Sequence, residues 1–131
     1  MKVSGKTIHV RASNRDIYDK LCNLSYFEKF LPEQVKDWEA GEDYCQFAIP
    51  GVATMRLTIA EKSESKIIYT ASNDKNIPVS IAIFMDGQDD GTDLHADIDA
   101  EVPIFLSAMV KKPLQNLVDM IADRVKAETE K

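Results

Sequence analysis

The sequence is poor in the residues that build cross-linked or highly flexible proteins. Its 131 residues include only two cysteines, five glycines and five prolines. Two cysteines are too few for the disulfide framework of a small secreted scaffold, and the low glycine and proline content excludes collagen-like and low-complexity chains. Cys22 and Cys45 are too far apart for a C-x-x-C redox or zinc pair, so we expect both to be buried thiols.

Long hydrophobic runs and an excess of positive charge are also missing. The longest apolar stretches, around residues 77–85 and 103–110, fall short of the roughly 18 to 20 residues that span a bilayer, and no signal-peptide run opens the sequence. Sixteen Lys and Arg against 22 Asp and Glu give a net charge of -6, which disfavours nucleic acids and anionic lipid surfaces as partners. These features predict a cytoplasmic protein with no membrane span and no nucleic-acid partner.

The residues that are present fit one ordinary folded domain. The apolar fraction of 44% and the charged fraction of 29% are close to the averages for globular chains. A chain of this length can bury about two-thirds of the surface that it exposes when unfolded. Since no linker, repeat or low-complexity segment interrupts it, residues 1–131 are predicted to form a single domain.

Alternation and capping signals define the N-terminal part of the chain. Residues 7–12 alternate apolar and polar side chains, which predicts a half-buried strand. Ser13 with Asp16, and Ser25 with Glu28, each resemble a capping box at the start of a helix. We therefore expect two short helices in tandem after the first strand.

Turn residues and then a helical periodicity define the remainder. Five groups of turn residues divide positions 35–102 into six strand-like pieces, and such short connections make consecutive strands antiparallel. From Pro103 to Val125 apolar residues recur at helical spacing, which predicts one long C-terminal helix. Pro113 lies inside this helix and should bend it.

The opening of the chain carries a recognisable series of residues: Ile8-x-Val10-x-Ala12-Ser13, then Asp16-Ile17-Tyr18-x-x-Leu21, then Asn23-Leu24-x-Tyr26-Phe27-x-x-Phe30-Leu31-Pro32. Together with the order of elements over nearly the whole chain, this opening resembles the START-like superfamily, also called SRPBCC, which includes polyketide cyclases and the birch-pollen-allergen proteins. The resemblance implies an α+β helix-grip fold: a seven-stranded antiparallel sheet wrapped around the long C-terminal helix, with two short helices between strands 1 and 2. It also implies a frequent cavity for lipids, sterols or polyketides. The glycine-rich loop of the pollen-allergen branch is absent, and no position matches a catalytic residue of the cyclases.

Candidate walls for such a cavity are large apolar side chains on the predicted strands and helix: Trp38, Phe47, Met55, Tyr69, Phe105, Met109 and Leu117. Ligand pockets are mostly apolar with a few placed polar groups. The alternative is that these side chains fill a solid core. Tyr69 is the best candidate for a polar group within the set, although the sequence favours a core tyrosine that donates to a backbone carbonyl.

Polar residues elsewhere do not make a convincing metal or catalytic site. His95, Asp97, Asp99 and Glu101 line one face of the last strand, but the opposite face is apolar, so the row is explained as the solvated side of the sheet. The acidic loop at residues 86–93 begins like a calcium loop and then lacks the later ligands. We predict no metal, no cofactor and no catalytic residue.

Three hypotheses about function follow. The first, which the sequence favours, is a non-enzymatic or weakly enzymatic domain that binds a small hydrophobic ligand between the sheet and the C-terminal helix. The second is a cyclase- or dehydratase-type enzyme acting on a polyketide-like substrate. The third is a ligand-free interaction module, for which Ile68, Ala82 and Phe84 on the outer sheet face suggest a homodimer.

Overall fold

One antiparallel sheet and one long helix form most of the structure, a computed structural model that describes residues 1–131. The elements in chain order are β1 (Lys2–Ser4), β2 (Ile8–Val10), α1 (Asn14–Leu21), a 3-10 helix (Phe27–Phe30), β3 (Lys36–Ala40), β4 (Cys45–Ile49), β5 (Ala53–Ser63), β6 (Lys66–Asn73), β7 (Val79–Gln88), β8 (Gly91–Ala100) and α2 (Ile104–Thr129). The strand order is β1-β8-β7-β6-β5-β4-β3, and β2 also pairs with β8.

The predicted α+β helix-grip architecture is confirmed; β2 lies within the predicted first strand at 7–12, and β1 is an additional strand that was not predicted. Both β1 and β2 pair with β8, so seven strand positions hold eight strands. The interruption falls at Gly5, where a Cβ atom would lie 2.9 Å from the Ala96 carbonyl oxygen and 3.1 Å from the Val118 Cβ of α2. The close approach of the helix therefore requires a glycine here. The second predicted short helix is the 3-10 helix.

Helix α1 is fixed to the sheet through its first residues. The Ser13 side chain accepts a hydrogen bond from the backbone N–H of Asp16 at 3.2 Å, which is the cap that the sequence predicts. Asn14 donates from Nδ2 to the Met85 carbonyl at 3.2 Å and accepts at Oδ1 from the buried hydroxyl of Thr92 at 2.7 Å. These bonds attach the start of the helix to β7 and β8.

Only the C-terminal half of α2 is buried. Its first ten residues include the three exposed large apolar side chains of the chain, Ile104 (91% exposed), Phe105 (78%) and Met109 (69%). Pro113 separates the two halves and cannot donate the hydrogen bond to the preceding turn. The buried positions all follow it: Leu114, Leu117, Val118, Ile121, Ala122 and Val125.

The buried half of α2 packs against β1, β2, β8 and the 3-10 helix. Its side chains belong to a continuous cluster of 29 buried residues that includes the inner faces of the strands. The N-terminal half of the helix therefore extends beyond this packed region. No helix is both long and apolar enough to cross a membrane.

An ionic cluster ties the tip of the β7–β8 hairpin to β2. His9 Nδ1 lies 2.8 Å from a carboxylate oxygen of Asp93, and His9 Nε2 lies 3.3 Å from one of Asp90. Lys126 of α2 donates to the His9 carbonyl at 2.8 Å. The hydrogen bond with Asp93 raises the pKa of His9 above its ordinary value of 6.5, and the Asp90 carboxylate adds to the increase.

We expect this cluster to stabilise the fold in a pH-dependent way. Because the folded-state pKa of His9 is raised, its contribution is fully present below the unfolded value of about 6.5 and is lost as the pH rises through the folded value. His9→Gln should therefore lower the free energy of unfolding most near about pH 6 and least above about pH 8. Urea unfolding of both proteins across this range measures the difference; a difference that does not change with pH would contradict the assignment.

Candidate ligand-binding site

An apolar cavity of about 450 Å³ lies between the N-terminal half of α2 and the adjoining ends of β5, β7 and β8. This volume is within the range of small-molecule pockets, about 300 to 1,000 Å³. Its apolar lining residues are Val52, Ala53, Met55, Ile77, Val79, Ala100, Val102, Leu106, Met109, Val110 and Leu114, and the others are Gly51, Asn73, Lys75 and Pro103.

The cavity follows from how the chain leaves β8. Val79 and Ala100 are paired across the first residues of β7 and the last residues of β8, so their side chains lie together at one end of the sheet. Residues 101–103 then lead directly into α2, with Pro103 at its N-cap. The helix starts over the strand ends, and its first buried residue is Leu114, which also lines the cavity.

Only two side chains in the lining carry polar atoms, and one of them is fully engaged. Asn73 Nδ2 donates to the carbonyls of Ile77 at 2.7 Å and Ala71 at 3.2 Å, while its Oδ1 accepts from the backbone N–H groups of Lys75 and Ile77. The Lys75 ammonium is exposed and makes no ion pair or hydrogen bond. The cavity thus offers hydrocarbon walls and one available cation.

Two of the candidate side chains named from sequence line this cavity. Met55 forms part of its buried floor, and Met109 lies at its open side. Phe105 precedes the lining residue Leu106 on α2 but is exposed and does not line the cavity.

The other four candidates lie elsewhere. Leu117 borders a groove of about 310 Å³ beside Pro113, and Trp38 borders a smaller groove of about 220 Å³ beside the 3-10 helix. Phe47 and Tyr69 are completely buried in the core. The structure does not bring these four side chains together with the two methionines around one space.

Most of the lining lies in connecting segments or on α2 rather than in the strands. Gly51 lies in the β4–β5 turn, and Ile77 lies in the loop before β7. Leu106 and Val110 continue the apolar stripe of α2 but remain only half-buried. No signal in the sequence distinguishes these two residues from the buried members of the stripe, because periodicity does not report how much of a helix face is covered.

Tyr69 caps helix α1 rather than facing the cavity. Its hydroxyl donates to the Leu21 carbonyl at 2.6 Å, and its ring packs edge-to-face on Phe27 with the centroids 5.2 Å apart. Burial raises the pKa of Tyr69 well above its ordinary value of 10. The hydroxyl is therefore a neutral donor to a carbonyl at the C-terminus of the helix, where intrahelical partners run out.

Tyr69→Phe should separate stability from ligand binding. Removing the hydroxyl leaves the buried Leu21 carbonyl without its donor, which should lower the free energy of unfolding by about 1 to 2 kcal/mol. Binding in the cavity should be unchanged because Tyr69 does not line it. Urea unfolding and calorimetric titration on the same preparation test both parts. A loss of binding without a loss of stability would contradict this placement.

The polar row of β8 lies on the outer face of the sheet. His95 stacks on Phe84 with ring centroids 4.8 Å apart. An Asp97 oxygen is 3.8 Å from both His95 Nε2 and Lys2 Nζ. No group of three or more His, Cys, Asp or Glu side chains is placed to hold a metal ion.

Neither cysteine is arranged as a reactive thiolate. Both are free; Cys45 is buried and Cys22 half-buried. Burial raises the pKa of Cys45 to about 12 and also raises that of Cys22. Both therefore remain protonated near neutral pH, a form of little nucleophilic reactivity.

Solved structures with this architecture place the chain in a known fold. A START superfamily protein from Mycobacterium smegmatis is 20% identical over 98% of this chain and 97% of its own, with a TM-score of 0.74. The KanY protein is 9% identical over 100% and 98%, with a TM-score of 0.77. A putative protein of the dynemicin biosynthetic locus is 10% identical over 97% and 48%, with a TM-score of 0.63.

No protein-family model and no curated protein matches the sequence. The structural likeness extends over essentially the whole chain and concerns the fold, since the identities are low. The chain therefore has the START-like helix-grip fold that its opening residues resemble.

Proposed function

We propose that the chain binds a small hydrophobic molecule in the cavity between the sheet and the N-terminal half of α2. The observation that carries this proposal is the composition of the lining, in which 11 of 15 residues are hydrophobic and only Lys75 offers an unengaged polar side chain. A preformed apolar space beside exposed apolar helix residues favours a ligand that removes both from water.

The two methionines are the best-placed ligand contacts among the residues named from sequence. Met55 is buried at the floor, while Met109 is 69% exposed and would lose much of that exposure against a ligand. Each Å² of apolar surface removed from water is worth about 25 cal/mol. The unbranched thioether side chain adapts to irregular shapes, so this pair suits ligands of more than one outline.

Acid–base catalysis on a polyketide-like substrate has less support from the same site. Such chemistry needs at least two polar groups that converge on the reacting atoms. The Asn73 amide is already engaged at both of its polar atoms, so Lys75 alone remains. We therefore prefer a binding role to a cyclase or dehydratase role.

Filling the cavity should abolish binding. Val79→Phe places an aromatic ring from β7 into the cavity. We expect at least a tenfold loss of affinity for any apolar ligand because the ring occupies part of the cavity volume. Thr58→Phe, on the exposed face of β5, is the matched control and should bind as the unmodified protein does. Binding is measured by native mass spectrometry and by thermal shift, with fatty acids, sterols, flavonoids and quinones as the trial ligands.

The proposal fails if none of these compounds adds mass or raises the melting temperature. It also fails if Val79→Phe binds a compound as tightly as Thr58→Phe does. In that case the ligand would occupy a different surface.

Self-association through the outer sheet face is a second candidate. Ile68 and Ala82 are directly paired between β6 and β7, and Phe84 lies two residues further along β7. All three are partly exposed on the face away from α2. A contiguous apolar patch on two central strands favours a two-fold contact with the same patch of another copy.

Phe84→Lys should weaken this dimer, because two-fold symmetry places the new charges close together in an apolar contact. We expect the unmodified protein to sediment as a dimer and the variant to sediment as a monomer at the same concentration. Ala108→Lys adds the same charge on an exposed residue of α2, away from the outer sheet face, and should leave the dimer intact. A monomeric unmodified protein, or a dimer that persists in Phe84→Lys, would exclude this interface.

A further inference from the structure

The lining of the cavity contains one charged residue, and the sign of its charge restricts the ligand. Lys75 is the only charged residue of the lining and lies in the loop between β6 and β7. We propose that the ligand is an apolar monocarboxylate, with its hydrocarbon part in the cavity and its carboxylate against the Lys75 ammonium. This inference rests on the proposed function and names the class of molecule that the same site would take.

The loop that carries Lys75 is held in a defined shape. Asn73 Oδ1 accepts from the backbone N–H groups of Lys75 at 3.1 Å and Ile77 at 3.2 Å. An oxygen of the Asp74 carboxylate accepts from the backbone N–H of Thr54 at 3.2 Å, which ties the loop to β5. The backbone of Lys75 is therefore fixed at the mouth, while its ammonium has no partner within the protein.

Lys75 is the only polar side chain of the lining that is free to contact the head group of a ligand. A neutral head group such as a hydroxyl would only exchange a hydrogen bond with water for one from the same ammonium and gain no ion pair, and the Asn73 amide has both of its polar atoms engaged. A cationic head would be repelled by the ammonium. An ammonium–carboxylate contact is a charge-assisted hydrogen bond, roughly twice as strong as a neutral one.

Neighbouring charges match one carboxylate better than a head of higher charge. Lys112 borders the separate groove beside Pro113, and Lys111 lines none of the described pockets, so neither adds a second cation here. The chain as a whole carries a charge of -6, which opposes the approach of a multiply charged anion. One available ammonium therefore corresponds to one negative charge on the ligand.

The test compares acids with alcohols of the same chain length. Octanoate, dodecanoate and hexadecanoate are titrated calorimetrically against octanol, dodecanol and hexadecanol, each below its aggregation concentration. The proteins are the unmodified chain, Lys75→Met and Lys111→Met. Methionine keeps most of the apolar stem and removes the charge, and Lys111→Met is the matched control on an exposed residue of α2.

We expect the best acid to bind about tenfold more tightly than its alcohol, which is the size of one charge-assisted hydrogen bond. Lys75→Met should reduce the affinity for the acid to that for the alcohol and leave the alcohol unchanged. Lys111→Met should behave as the unmodified chain does. Added salt should weaken the acid preference, since the contact is at an exposed ammonium.

Two results would overturn the inference while leaving the cavity a binding site: equal affinity for acid and alcohol in the unmodified chain, or an acid preference that survives in Lys75→Met. Failure of every acid and every alcohol to bind would also overturn this inference, and the proposed function falls with it if sterols, flavonoids and quinones fail to bind as well. The two failures are therefore distinguished by the alcohols, which need the cavity and not the charge.

Discussion

The close contact between α2 and the first strands is the constraint on which the rest of the structure depends. At Gly5 the absence of a side chain lets Val118 of the helix approach the backbone, and any Cβ there would lie 3.1 Å from the Val118 Cβ. This contact fixes the C-terminal half of α2 against the sheet. The opposite half, before Pro113, lacks such a contact, and the cavity is the space that remains under it.

The division of α2 separates the part of the helix that packs in the core from the part that lies over the cavity. The segment after Pro113 supplies six buried residues to the core and is connected to β2 through Lys126. The segment before it contributes half-buried or exposed side chains, which is where a fold can accommodate a ligand without losing its packed core. Leu114 belongs to both parts, because it is buried and also lines the cavity. If a ligand occupies the cavity, Leu114 is the core residue of α2 that it would contact.

The sequence predicts which side chains of a strand face the core. It does not predict which of them lie at the end of the sheet that borders the cavity. Alternation places Phe47, Met55 and Tyr69 on the inner face, and all three are buried there. The same pattern cannot say which inner residue lies near the cavity, because that depends on where the helix crosses the sheet. Tyr69 meets the C-terminus of α1, a contact 48 residues away in sequence that no local pattern contains.

The long helix and its proline were visible in the sequence for a different reason. Apolar residues repeat at helical spacing on both sides of Pro113, which predicts a continuous helix. Periodicity reports which side of a helix is apolar and not how much of that side is covered. Leu106 and Val110 thus fit the stripe and yet remain half-buried. These two side chains would be fully buried in a solid core, and their incomplete burial shows that the space beneath this part of α2 is not filled.

The chemistry of the lining decides what kind of selectivity the cavity can have. A purely hydrocarbon wall discriminates weakly, since one methylene changes binding by only about 1 to 3 kcal/mol. Asn73 does not improve this, because its amide stabilises the loop instead of reading the ligand. Selection by shape would therefore permit several hydrocarbon outlines. The Lys75 ammonium is the group in the lining that could discriminate between the polar head groups of ligands. The first turn of α2 has no acidic residue, and Lys75 is the one charged residue in the lining.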